Sequence, residues 1–235
     1  MIFRQLFEPQ SSAFTYLIAC DERREASLID PVLETVDRDI QLLRDLGLKL
    51  SCTIETHIHA DHVTGAGRLR AETGCKAAVP RESGADHVDL LVREGEPISV
   101  GNLRLEPRYT PGHTDDHHVY VLHSTDGPRV FTGDTLMIDG CGRTDFQNGD
   151  AATLYRSVHD KIFSLPEDTL VYPGHDYQGR RVSSVAQEKA RNPRLGAGKT
   201  IDEFVLIMDG LNLPRPKKMD FAVPANRECG IVKSL

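Results

Sequence analysis

The sequence predicts an α/β protein built from two mixed β-sheets flanked by helices. Three observations predict it: β-rich runs open the chain, a helix-bearing stretch follows, and strands return before a helical C-terminal part. Several of these runs stop on glycine, aspartate or histidine, so the loops at the strand ends are where binding groups are expected to collect.

Ile2 to Phe7 and Phe14 to Ala19 are β-rich, and a third run, Ala26 to Ile29, leads into Asp30-Pro31, which together predict a strand meander. Val36, Ile40, Leu43 and Leu46 recur at helical spacing with charged residues between them, and Gly47 is placed to end that helix. Leu50 to Thr56 is β-rich and stops at His57. Arg68 to Thr73 then reads as a short helix stopped by Gly74, and Cys75 to Val79 as a strand. Strands follow at Leu103 to Tyr109, Val119 to Leu122 and Val130 to Phe131, then a helix from Ala151 to Phe163, and a strand through Thr169 to Tyr172 that runs into Pro173-Gly174-His175. Helical character returns from Arg180 to Arg191, Asn192-Pro193 breaks it, and Ile201 to Met208 forms a second short helix before a Pro-rich tail. No internal repeat or linker is visible. At 235 residues the expectation is one catalytic domain over 1–235, with a short helical and Pro-containing C-terminal extension from about residue 180.

With 39% hydrophobic and 27% charged residues the composition is that of a folded globular chain. A formal net charge of −7, with no dense run of Lys or Arg, argues against a nucleic-acid partner. The first residues hold no stretch long enough to span a bilayer, and Arg4, Glu8 and Gln10-Ser11-Ser12 interrupt any signal-like apolar core. The expectation is therefore no membrane partner and a cytoplasmic location. Cys20, Cys52, Cys75, Cys141 and Cys229 are scattered without a CxxC pair, which suits reduced thiols.

The segment His57-Ile58-His59-Ala60-Asp61-His62 packs three imidazoles and a carboxylate into six positions, which a packed core rarely wants. His113 in Thr110-Pro111-Gly112-His113, Asp134 in Thr132-Gly133-Asp134 and His175 in Pro173-Gly174-His175 each follow a β-rich run and a glycine. Imidazole and carboxylate bind borderline metals well, and a glycine ahead of a ligand lets the backbone turn sharply so that the side chain points inward. Seven ligand-type residues in four such contexts predict a metal centre at a sheet edge.

HxHxDH followed by a single His, a Gly-Asp and a last Gly-His is similar to the metallo-β-lactamase superfamily, whose αββα sandwich holds its metals at one sheet edge. In that superfamily the full set can hold two zinc ions, with His57, His59 and His113 on one, Asp61, His62 and His175 on the other, and Asp134 between them. The ligand pattern thus leaves open a two-zinc, glyoxalase II-like thiolester hydrolase that activates water. Outside the ligands, Gly140-Cys141-Gly142-Arg143-Thr144-Asp145-Phe146-Gln147, His175-Asp176-Tyr177, Asn192-Pro193-Arg194-Leu195 and Asp220-Phe221-Ala222-Val223-Pro224-Ala225-Asn226 resemble the persulfide dioxygenases over nearly the whole chain.

That resemblance implies one Fe(II) per chain, held by His57, His113 and Asp134 as a facial triad with open positions for O₂ and a substrate sulfur. It implies oxidation of glutathione persulfide by O₂ and water to sulfite and glutathione, within sulfide catabolism. His59, Asp61, His62 and His175 would then surround the metal and set ligand orientation and polarity. Arg143, in the motif after Asp134, is the candidate for a glutathione carboxylate. Tyr177, two residues beyond His175, is the candidate for a hydroxyl near the bound sulfur. A short tail after Arg194 counts against glyoxalase II, which carries a helical substrate domain there. His117 and His118 are expected at a strand start near solvent with no motif-based role, one of them within reach of a metal contact. Arg180 and Arg181 open a helix either as solvated residues or within reach of the glycyl carboxylate, and Cys141 is expected as a buried thiol rather than a persulfide relay. A persulfide- or metal-binding module without catalysis is a third reading, which open metal positions disfavour. Sheet faces and C-terminal helices leave room for a homodimer.

Overall fold

A computed structural model describes residues 1–231. Its contacts divide the chain into two compact units, one made of Met1–Val92, Ile98–Arg104 and the chain from Arg215, the other of Arg93–Pro97 and Leu105–Pro214.

The first unit is built on strands β1 (Ile2–Glu8), β2 (Ala13–Cys20), β3 (Glu25–Ile29), β4 (Lys49–Ile54), β5 (Lys76–Pro80) and β6 (Leu90–Val92), hydrogen-bonded in that order. β1, β2 and β3 form the antiparallel meander that the sequence predicts, and β3 to β6 run parallel. All eight residues of β2 are buried, the polar Thr15 among them, whose hydroxyl donates to Asp30 O at 2.8 Å. Helix α1 (Val36–Asp45) packs Val36, Ile40 and Leu43 onto Leu17, Ala19, Ala26 and Leu28, and α2 (Ala66–Thr73) adds Leu69. Fully burying each such aliphatic side chain contributes roughly 1.5–3 kcal/mol. The short strand β7 (Ile98–Val100) also belongs to this unit.

One residue on the buried face of α1 breaks the pattern. Asp39 is inaccessible to solvent, and burial pushes its carboxyl up to about 6 although Arg38 donates to it at 2.8 Å. A folded-state value above the unfolded one means that the neutral form is the stabilising one. Its contribution is full below about pH 4 and is lost as pH rises through about 6. Asp39→Asn is therefore expected to raise stability by on the order of 1 kcal/mol at pH 7.5, and the two proteins should converge towards pH 4. Urea midpoints at the two pH values check it, and equal differences at both would refute it.

In the second unit, β8 (Leu103–Tyr109), β9 (His118–Leu122), β10 (Arg129–Gly133), β11 (Leu170–Pro173) and β12 (Ser183–Ser184) are hydrogen-bonded in the order β12–β11–β10–β9–β8. The β10–β11 pair is parallel and the others are antiparallel, so both sheets are mixed. Helices α3 (Ala151–Ser157), α4 (Val185–Arg191) and α5 (Ile201–Asp209) lie in this unit. Leu154, Val158 and Phe204 share a core with Val119, Val121, Val130 and Val171.

Three elements differ from expectation. The helix predicted from Arg180 starts at Val185, because Ser183–Ser184 pair with β11 and the Ser184 side chain caps the helix by accepting from Gln187 N. The helix from Ala151 passes into a π-helical turn at Val158–Ile162. The Pro-rich tail forms helix α6 (Met219–Arg227) in the first unit, with Pro224 inside it and Ala222 and Ala225 packed on Val63. Here the packed apolar face outweighs the one hydrogen bond that the proline removes.

Candidate metal centre

Parallel pairing of β3 with β4 brings the carboxyl ends of both strands to one edge of the first sheet, where Asp30 N donates to Ile54 O at 2.9 Å. Asp30 Oδ1 accepts from Thr56 N at 2.7 Å and Oδ2 from the Thr56 hydroxyl at 2.9 Å. With its proton given to Asp30, Thr56 Oγ1 can only accept from His57 Nδ1, 2.9 Å away. The chain Asp30–Thr56–His57 therefore holds the His57 proton on Nδ1 and puts the ring's lone pair on Nε2.

His59 Nε2 lies 3.1 Å from Asp30 Oδ1 and 3.4 Å from Glu55 Oε2, all three residues being buried. Burial disfavours a charged imidazole there, but the two carboxylates outweigh it and move His59 well above the usual histidine range. Burial also raises Glu55, whose Oε1 accepts from the Thr64 hydroxyl at 2.6 Å. The His59 ring stands 4.1 Å from that of His57 and 4.3 Å from that of His62. His62 Nδ1 is 2.9 Å from Asp61 Oδ2, while its buried Nε2 has no hydrogen-bond partner among the described residues. The loop is tied down from the tail. Asn226 accepts from Thr64 N at 2.8 Å and donates to the carbonyls of His59 and His62, both at 2.9 Å.

In the second unit the strand directions do the gathering. β8 is antiparallel to β9, β9 to β10, and β10 is parallel to β11, so β8, β10 and β11 all end at the same edge. From those ends come His113, Asp134 and His175. Asp134 Oδ1 accepts from His175 Nδ1 at 2.7 Å, and its Oδ2 stands 3.6 Å from His113 Nε2. His113 Nδ1 donates to the Arg143 carbonyl at 2.6 Å, which again puts the lone pair on Nε2. Space is tight around these groups: a Cβ on Gly142 would lie 2.6 Å from His113 Nδ1, and Gly112, at φ 136°, would put one 2.3 Å from Leu154 N. The glycines flanking the ligands are required by close approach as well as by the turn.

His117 and His118, expected near solvent, are both fully buried. His118 opens β9 and His117 directly precedes it, and His117 Nε2 accepts from Asp134 N at 3.1 Å. Tyr177 is 72% exposed, with its ring stacked on His175 at 6.1 Å. Arg143 forms a two-point pair with Asp145 at 2.6 and 2.7 Å, donates to Pro214 O at 2.7 Å and lies over the Phe146 ring. It borders a cavity of about 650 Å³ shared with Asp145, Asp150, Met208 and Leu213. Arg180, expected to be solvated, instead clamps Asp176, Asp139 and the Ile138 carbonyl. Cys141 is buried and its thiol is pushed up to about 11 by that burial, so it stays protonated at neutral pH.

The strands thus deliver His57, His59, Asp61 and His62 to one edge of the first unit, and His113, Asp134 and His175 to one edge of the second. Asp30, Glu55, Thr56, His117 and Asn226 were given no place in the site by the sequence. Asp30 and Thr56 carried a faint signal as polar residues at the ends of β-rich runs.

Residues 9–175 match the metallo-beta-lactamase superfamily, and the chain belongs to it. The human protein named "Persulfide dioxygenase ETHE1, mitochondrial" is 53% identical over 232 residues, covering 98% of this chain and 89% of the human one. A crystal structure of ETHE1 from Myxococcus xanthus superposes with a TM-score of 0.94 at 53% identity, covering 98% of this chain and 100% of the other. A hydroxyacylglutathione hydrolase of a Polaromonas species is 40% identical over 167 residues, covering 70% of this chain and 62% of its own. Within the superfamily this chain belongs to the persulfide dioxygenases.

Proposed function

We propose that the chain oxidises glutathione persulfide with O₂ and water to glutathione and sulfite, using one Fe(II) held by His57, His113 and Asp134. The observation that carries the ligand set is the placement of protons. His57 and His113 each direct Nδ1–H at an oxygen, and His175 donates to Asp134 Oδ1, so the lone pairs a metal would use lie on the two Nε2 atoms and on Asp134 Oδ2. Two imidazoles and one carboxylate fit ferrous iron. Held by His57, His113 and Asp134, a ferrous ion would supply the redox chemistry between O₂ and the persulfide sulfur.

The reaction balances as GSSH + O₂ + H₂O giving GSH, sulfite and two protons, with the outer sulfur giving four electrons to O₂. The protein's own groups bind and orient. His175 holds Asp134 Oδ1, and His59, buried between Asp30 and Glu55, keeps that side polar. Asp61 and His62 form a further polar pair of the set, and Tyr177, its ring stacked on His175, is the candidate hydroxyl for the substrate. Arg143 takes a glutathione carboxylate by exchanging it for Asp145, which is the more exposed partner. Arg143→Ala is expected to raise KM roughly tenfold or more while iron content stays near wild type. An unchanged KM would restrict the guanidinium to bracing Leu213–Pro214.

The partnerless Nε2 of His62 favours one alternative, a two-zinc thiolester hydrolase that would use it as a ligand. Metal analysis of protein purified without air, run beside oxygen uptake with glutathione persulfide, decides between them. About one iron per chain with persulfide-dependent uptake supports the dioxygenase. Two zincs without uptake overturn it.

A further inference from the structure

We infer that His117 is a positioning residue for Asp134, holding that ligand through its backbone rather than its carboxylate. The inference rests on the proposed ligand role of Asp134 and adds a group outside the metal-binding motif. A backbone N–H can only donate, so His117 Nε2, 3.1 Å from Asp134 N, is the unprotonated nitrogen. The proton then sits on Nδ1, which faces Thr135 Oγ1 at 2.9 Å and Thr110 Oγ1 at 3.3 Å. Thr135 Oγ1 passes its own proton to the Thr110 carbonyl at 3.2 Å.

These contacts tie together the two loops that carry ligands in this unit. Thr110 begins the turn that ends in His113, and Thr135 follows Asp134 directly. The His117 carbonyl also accepts from Thr110 N at 2.8 Å, so the residue grips the first loop by backbone and side chain alike. Asp134 is consequently held at three atoms: its N by His117, its O by Gly142 N at 2.7 Å and its Oδ1 by His175. Without an acceptor at the His117 position, a buried N–H on the ligand residue itself loses its partner, and the loop is free to shift towards another one.

The test reads metal affinity and proton position instead of turnover. His117→Leu, which has no acceptor, is expected to weaken iron binding by about 10–100-fold in chelator competition. His117→Gln, whose side-chain oxygen can stand where Nε2 stood, is expected to restore binding to within a few-fold. In the metal-free wild-type protein, ¹⁵N NMR is expected to find the His117 proton on Nδ1 and the Asp134 amide bonded to bare Nε2. Wild-type affinity in His117→Leu, or a proton found on Nε2, overturns the inference. The NMR arm needs no variant, so it decides even where the leucine chain does not fold. Asp134→Ala, measured in parallel, separates the two levels: if it loses iron while His117→Leu keeps it, only the positioning role fails. If Asp134→Ala keeps its iron, the ligand assignment fails and the positioning role with it.

Discussion

Asp134→Ala is expected to lose iron and persulfide-dependent oxygen uptake together, with affinity falling on the order of a hundredfold or more, beyond what the loss of a supporting partner costs. The carboxylate is the only anion in the proposed triad, and without it two neutral imidazoles hold a dication in a largely buried place. The change also strips His175 Nδ1 of its acceptor, 2.7 Å away. His113→Ala should behave similarly, because it removes a donor nitrogen whose orientation the Arg143 carbonyl sets. Metal content by elemental analysis, O₂ consumption by electrode and circular dichroism form the required set of measurements. Iron retained at wild-type affinity by either variant would move the ligand role to other residues.

The second large effect is expected at a residue far along the chain from the metal-binding motif. Asn226→Ala removes three hydrogen bonds at once, leaving Thr64 N and the His59 and His62 carbonyls to find other partners. Each buried group left unpaired costs roughly 1–3 kcal/mol, so a loss of about 2–4 kcal/mol in urea unfolding is expected after partial relaxation. The carbonyls belong to the loop that carries His57, so iron affinity should fall as well. Asn226→Asp keeps the acceptor for Thr64 N but has no N–H to offer the carbonyls, and it should rescue little. A midpoint shift within error of zero for Asn226→Ala would refute the anchoring role.

Much of this was legible in the chain because it is written in local patterns. Alternation and apolar runs mark β1 to β5 and β8 to β11, since a strand's burial repeats every second residue or not at all. Gly112 and Gly174 stand before histidines because a turn and a close approach need them. What stayed hidden is decided by distance along the chain. Asp30 is one more acid after a strand until parallel pairing sets it beside Thr56. His117 looks like a polar residue at a strand start, and only the β8–β9–β10 order buries it under Asp134. Asn226 lies in a segment whose proline argued against a helix, yet α6 forms because Ala222 and Ala225 find Val63. The β6 and β7 strands, at three residues each, are too short for any periodicity to register.

The bond between Thr64 and Asn226 spans 162 residues, and that has a bearing on the order of events at the ribosome. A growing chain makes the His57–His62 loop early, but its anchor is not translated until all of Leu105–Pro214 has been made. At about 5–20 residues per second the wait is roughly 8–30 s. During that interval His113, Asp134 and His175, all within Leu105–Pro214, have been made, whereas the first loop lacks its tail clamp. The His57–His62 loop accordingly gains its Asn226 anchor, the partner of Thr64 N and of the His59 and His62 carbonyls, only late in synthesis.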